Sequence, residues 1–70
     1  MNQYEVIIYF SKEDNAFIAE VPELPGCIAH GSSNEIALKN VNQAMELWLE
    51  TAKEFNDFIP TPKGRRLMFA

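Results

Sequence analysis

Cys27 and His30, the chain's single cysteine and single histidine, fall in one dense run, VPELPGCIAHGSSNEIA, from Val21 to Ala37. A thiol and an imidazole are the pair from which a nucleophile and its general base are built. That chemistry needs the two groups in hydrogen-bond reach and a third group to orient the imidazole. The stretch from Cys27 to His30 is short and mostly apolar and reads as a strand. On a strand, residues i and i+3 point to opposite faces, so the pair would not meet. No Asp or Asn adjoins His30 to hold its ring. Cys27 is therefore read as a small buried hydrophobe. The same pair plus one carboxylate is too thin a donor set for zinc. No catalytic residue, metal or cofactor is expected, and the chain is not read as an enzyme.

The residues around that pair have backbone reasons to be there. Pro22 and Pro25 each remove an amide donor and set φ, and Gly26 permits a positive φ. Pro-Glu-Leu-Pro-Gly is thus an elbow that ends one strand and starts another, with Glu23 expected to be exposed. Gly31 should break the strand that follows. Ser32 with Glu35 three residues later has the spacing of a capping box, with Ser33 as the rival cap. The predicted helix runs to about Phe55 or Asn56. Ala37, Val41, Ala44, Met45, Trp48, Ala52 and Phe55 form its apolar stripe. Leu47 and Leu49 flank that stripe. Glu46, Glu50 and Glu54 are like-charged neighbours at i, i+4 spacing, a mildly unfavourable arrangement.

Upstream, Tyr4 to Phe10 and Ala16 to Val21 read as strands, rich in β-branched and aromatic residues. The polar SKEDN between them makes a hairpin, with Asp14-Asn15 suited to the turn. Val6, Ile8 and Phe10 point one way and Ile7 and Tyr9 the other. Apolarity on both faces implies cover on both faces. One helix covers one of them, and a second copy of the chain is the expected cover for the other. Pro60 and Pro62 end the helical region, and Arg66 to Phe69 reads as a short last strand. The fold class is α+β, in the order β-β-β-α-β: a three-stranded antiparallel sheet, one long helix on one face, and the last strand.

Seventy residues make one domain, residues 1–70. A core of this size supplies only about 3–5 kcal/mol, and small domains compensate with disulfides, a metal or self-association. One cysteine excludes an intrachain disulfide, so self-association is the expected remedy. The apolar fraction of 47% suits a folded domain. No apolar run approaches the ~20 residues of a membrane span. The lone thiol and the lack of a basic leader predict a cytoplasmic protein. Residues 1–59 hold all ten acids against three lysines, a net of −7, whereas residues 60–70 carry Lys63, Arg65 and Arg66 and no acid. An acidic body repels nucleic-acid phosphate and attracts basic partners. Direct nucleic-acid binding is not expected.

The run Glu20-Val21-Pro22-Glu23-Leu24-Pro25-Gly26-Cys27, followed by Gly31, Ser33, Glu35, Ala37-Leu38 and Asn40, resembles the HicB family of antitoxins. The likeness covers nearly the whole chain. One departure is Ile36, where the family usually has an acidic residue, which favours Ser32 with Glu35 as the cap. The resemblance implies a partial ribonuclease H-like fold without enzymatic activity. It implies a partner, a small basic messenger-RNA-cleaving toxin of the HicA type, whose catalytic surface the antitoxin masks. Many members also carry a C-terminal DNA-binding domain. This chain ends at Ala70 without one and is read as a minimal version.

A ribonuclease H-like fold raises the question of two-metal nuclease chemistry, which needs several converging carboxylates. Glu5 and Glu20 are the only carboxylates on the predicted strands, too few for that site. The acidic body and the resemblance together nominate Glu13, Asp14, Glu20, Glu23 and Asp57 as toxin contacts. The alternative reading is a stand-alone homo-oligomeric scaffold or regulatory domain with no toxin partner. A homodimer or higher homo-oligomer is expected in either case.

Overall fold

A computed structural model describes residues 4–61. Strands β1 (Ile7–Ser11), β2 (Ala16–Glu20) and β3 (Ile28–Gly31) precede one helix, α1 (Asn34–Glu54). The strands form an antiparallel sheet in the order β1-β2-β3, so the architecture is α+β. The last strand expected at Arg66 to Phe69 lies outside the described residues.

The β1–β2 hairpin closes where the polar loop demands. Ser11 and Asp14 exchange two hydrogen bonds across the loop: Ser11 Oγ donates to Asp14 Oδ2 at 3.1 Å, and the Asp14 amide donates to Ser11 Oγ at 3.3 Å. Asn15 takes φ +51°, a left-handed conformation its short amide tolerates. Register then follows, pairing Ser11 with Ala16 and Ile8 with Ala19.

The Pro-Glu-Leu-Pro-Gly elbow is two successive β-turns. The Leu24 amide donates to the Val21 carbonyl at 3.1 Å, and the Cys27 amide to the Leu24 carbonyl at 2.9 Å. Pro25 and Gly26 fill the centre of the second turn. Gly26 has φ +81°, as a type II turn requires at that position. A third bond, Val21 amide to Cys27 carbonyl at 3.0 Å, ties the elbow's ends together. The double turn drives Leu24 inward, where it is fully buried.

The helix begins one residue later than the capping-box reading places it. Ser33, not Ser32, is the N-cap: its backbone is extended and its Oγ accepts the Ile36 amide at 3.2 Å. Glu35 consequently stands at the second helical position, and Ile36 occupies the third. No reciprocal box forms, although Glu35 still complements the positive end of the helix dipole. The cause is the strand before it. Gly31 does not break β3 but is its last residue, paired with Phe17. The first turn of α1 rests directly on it, for a Cβ there would meet the Ala37 amide nitrogen and Ile36 Cγ2 at 2.6 Å. Glycine is present for close approach.

At the other end, the Asn56 amide bonds the Lys53 carbonyl at 3.2 Å and the Asp57 amide the Ala52 carbonyl at 2.8 Å. Asn56 has φ +57°. This is a Schellman closure with asparagine in the left-handed position.

The core lies between α1 and one face of the sheet. Ala37, Val41 and Met45 of the helix form one buried cluster with Ala19, Val21, Leu24 and Cys27, and Ala52 is buried further along the helix. Ala44, Trp48 and Leu49 are half-buried against the same cluster. Phe55 departs from its place in the stripe and is 68% exposed. The lengths explain it. A helix of 21 residues is about 31 Å long, whereas strands of five residues reach about 17 Å. The helix overruns the three described strands, and none of them lies beneath its last turn. The elbow covers part of the overrun: Trp48 Nε1 donates to the Pro25 carbonyl at 2.9 Å. Asn40 Nδ2 makes the matching tie nearer the helix start, to the His30 carbonyl at 2.8 Å.

Candidate functional site: the uncovered face of the sheet

Pairing sorts the strand residues into two faces. Ile8, Ala19 and Ala29 lie in one cross-strand row and pack against the core beneath α1. The residues between them point the other way, where no described element lies. That second face has two full rows, Tyr9–Ile18–His30 and Ile7–Glu20–Ile28. Tyr9 is 44% exposed and Ile28 53%. Ile7 is half-buried. Ile18, in the middle strand, is buried although α1 is on the far side. Its neighbours screen it, and it floors a shallow cavity of about 310 Å³ bounded by Asp14, Ala16 and His30.

Carboxylates rim this apolar surface. The Tyr9 hydroxyl donates to Glu20 Oε2 at 3.3 Å across the β1–β2 pair. The Tyr9 hydroxyl's pKa is raised, by desolvation first and then by the charge of Glu20, its hydrogen bond to Glu20, and the charge of Asp14. Asp14 and Glu20 thus act on one phenol from opposite ends of the hairpin. Their potential makes this face attractive to cations.

The nominated contact residues separate in space. Asp14 and Glu20 join the uncovered face, and Glu13 is exposed in the hairpin loop beside Asp14. Glu23 sits in the elbow and is half-buried, not exposed as the isolated turn suggested. The double turn folds that segment back against the body. Asp57 is exposed beyond the end of α1, away from the strand rows.

Cys27 and His30 are kept apart. Cys27 is buried in the core cluster, and burial pushes its thiol pKa up, away from the nucleophilic thiolate. His30 is exposed on the opposite side of the sheet. Among the described residues no group of three or more His, Cys, Asp or Glu is placed to hold a metal ion. No described helix is long and apolar enough to cross a membrane. The arrangement offers a binding surface: a hydrophobic centre with an anionic border.

Sequence reasoning missed Ile28 as a surface residue of this face and Ile18 as the buried residue beneath it. The signal was available in the period-2 alternation of β2 and β3, once a single helix had been assigned to one face.

Comparison with known proteins adds an independent line. Residues 4–67 match the family described as HicB_like antitoxin of bacterial toxin-antitoxin system. A UPF0150 protein of Thermoplasma acidophilum is 38% identical over 65 residues, covering 93% of each chain. A UPF0150 protein of Synechocystis is 40% identical over 58 residues, 83% of this chain and 78% of that one. A shorter match, 47% over 38 residues, links it to a UPF0150 protein of Helicobacter pylori, covering 54% of this chain and 53% of that one. No solved structure matches the chain significantly.

Proposed function

We propose that this chain, which belongs to the HicB-like antitoxin family of bacterial toxin–antitoxin systems, neutralises a small basic HicA-type ribonuclease by covering its catalytic surface. The observation that carries the reading is the uncovered sheet face, with exposed Tyr9 and Ile28 flanking a buried Ile18 and with Asp14 and Glu20 beside them. A ribonuclease surface that grips phosphate is cationic, and a carboxylate-edged apolar face is its complement in charge. Exposed aromatic and branched aliphatic side chains supply the area that excludes water from the contact. The antitoxin contributes no bond-making step. It acts by steric and electrostatic occlusion, in the cytoplasm where messenger RNA is cut.

Charge supports the assignment at long range. The described body carries a net of −7, which accelerates encounter with a basic protein and disfavours encounter with RNA itself. Glu13, Asp14 and Glu20 are the border residues, with Glu23 and Asp57 as outlying contributors.

The test is co-expression with the basic ribonuclease that co-purifies with this chain from its native cell. Wild type should restore growth and form a stoichiometric complex. Glu20→Lys combined with Asp14→Lys should weaken the complex at least tenfold, and a thermal melt checks that the fold survives the loss of their bonds to Tyr9 and Ser11. A stable double variant that neutralises as well as wild type would show that the toxin docks elsewhere. Recovery of only the chain itself, at an oligomeric mass, would favour the stand-alone scaffold.

A further inference from the structure

We infer that the shallow cavity between the β1–β2 loop and His30 is a socket for one arginine side chain of a basic protein partner, its guanidinium paired with Asp14 and stacked on the His30 ring. This deepens the proposed function and rests on it for the arginine's owner. The socket itself rests on the geometry of this chain.

The walls supply what an arginine needs. The cavity holds about 310 Å³ and is lined by Asp14, Ala16, Ile18 and His30. That is the low end of the roughly 300–1,000 Å³ range of ligand pockets, room for a side chain rather than a large cofactor. Ile18 is buried and Ala16 half-buried, so the floor is aliphatic and receives a methylene stem. Asp14 brings the charge from the loop. Ser11 Oγ donates to its Oδ2 at 3.1 Å, which orients the carboxylate and leaves lone-pair sites for a second donor. His30 brings a flat ring from the end of the row Tyr9–Ile18–His30. Its carbonyl accepts Asn40 Nδ2 at 2.8 Å, so the strand end that carries the ring is tied to α1.

The pairing of a carboxylate with a ring selects between the two basic side chains. A guanidinium is planar, stacks on aromatic faces and presents several donors to one carboxylate. A lysine ammonium is a compact, strongly hydrated charge that would use Asp14 alone. The elbow holds a second cavity, of about 260 Å³, which Glu20 shares with Pro22, Pro25 and Gly26. That one offers a carboxylate without a ring, and Glu20 Oε2 already accepts the Tyr9 hydroxyl.

Charge names the occupant's source. Residues 1–59 carry a net of −7, which draws a basic protein toward this face. Lys12 and Glu13 belong to the same loop as Asp14 but do not line the cavity. Arginines seated in pockets are among the residues that carry most of an interface's binding energy.

Titrating n-butylguanidinium into the whole isotope-labelled chain, followed by amide NMR shifts, tests the socket without the toxin. Asp14, Ala16, Ile18 and His30 should shift and saturate, with a dissociation constant on the order of 10 mM, as befits one side chain. n-Butylammonium should bind at least threefold more weakly. Asp14→Asn keeps an acceptor for Ser11 but loses the charge, and should weaken the probe at least fivefold. His30→Ala should weaken it at least threefold, and His30→Tyr, which keeps a ring, should restore it. Glu46→Gln, on the outer face of α1, removes the same charge as Asp14→Asn and should change nothing. Thermal melts check that each variant folds. No saturable shift in the wild type, or equal binding of the ammonium probe, overturns the socket and leaves the proposed function standing on its apolar face. Tighter probe binding by an Arg65→Gln, Arg66→Gln variant would give the socket to the chain's own tail and overturn its assignment to a partner. With the co-purifying ribonuclease, one of its arginines should couple to Asp14 in a double-mutant cycle. A socket that binds the probe while Asp14→Asn leaves that complex unchanged overturns the assignment to the toxin alone.

Discussion

On one face of the sheet, Ile8, Ala19 and Ala29 form a row that α1 covers; on the other, Ile7, Glu20 and Ile28 form a row that nothing in the described chain covers. The residue choices anticipate this difference. The covered row narrows to alanine on β2 and β3, which lets the helix approach closely, and Gly31 extends that small-residue floor under the first helical turn. The uncovered rows keep full-sized Ile, Tyr and His side chains and admit a carboxylate. A surface meant only for water would alternate apolar with polar residues more strictly. The comparison teaches that alanine and glycine mark where the helix seats on the sheet, and that large apolar residues with charged neighbours mark the face that no described element covers.

Substitutions on the two faces should part company, and the largest effects belong to the covered one. Leu24→Ala removes a fully buried side chain from under the elbow, and such truncations cost about 2–5 kcal/mol. That rivals the whole stability expected of so small a domain, so urea denaturation should find the variant largely unfolded. Gly31→Ala places a methyl 2.6 Å from the Ala37 amide nitrogen. Backbone cannot swing aside as a side-chain tip does, and the overpacking should cost about 1–3 kcal/mol in the same assay. A fall in stability of less than 0.5 kcal/mol would mean that the helix does not rest on β3 this closely.

Smaller effects sharpen the helix ends. Ser33→Ala should cost about 1 kcal/mol and Ser32→Ala close to nothing, since only Ser33 accepts the Ile36 amide. The reverse order would reinstate the earlier cap. Trp48→Phe keeps the ring's packing but loses the bond to the Pro25 carbonyl, a loss of about 1 kcal/mol by thermal melting. On the uncovered face, Ile28→Ala should change stability by no more than about 0.5 kcal/mol, as surface substitutions do. Its effect should appear in affinity for the proposed toxin partner instead.

Alkaline pH probes both sides, through Cys27 in the core and Tyr9 on the uncovered face, whose pKa values are both raised in the fold. The Cys27 thiol is raised above its ordinary value of 9.0 by burial. The folded chain therefore holds that proton longer than the unfolded chain does. Its contribution to stability is complete below the ordinary thiol value and is lost as pH rises through the folded one. Stability should fall over that range, and Cys27→Ala should flatten the decline in urea midpoints measured across it.

Much of this was legible in the residues. Asp14-Asn15 announced the hairpin, the prolines and Gly26 announced the elbow, and the 3.6-residue period of Val41, Met45 and Ala52 announced the helix. Each signal is local: a φ angle, a missing donor or a spacing along one element. The readings that changed are those in which one element decides another's state. Gly31 read as a strand breaker because a lone glycine suggests freedom, yet its role is to admit α1. Ser32 with Glu35 satisfied the spacing of a capping box, but the seating of Ile36 and Ala37 on Gly31 accompanies a start at Ser33. Phe55 fitted the apolar stripe, but a stripe does not say where the sheet beneath it ends.

The candidate surface divides in the same way. Acidity and apolar strands were visible along the chain, and they suggested a protein-binding role. Sequence order cannot say that Asp14 and Glu20 act on the same phenol, that Glu23 folds inward, or that Asp57 stands apart. Those facts follow from strand register and from the double turn, which bring distant positions together or separate near ones. By itself the sequence determined the elements, their order and the sign of the charge, because each depends on residues within a few positions of one another. Only the tertiary structure decided which face of the sheet stays open and which carboxylates border it. One helix can lie on only one side, and the choice is made by the close fit of that helix against alanine and glycine.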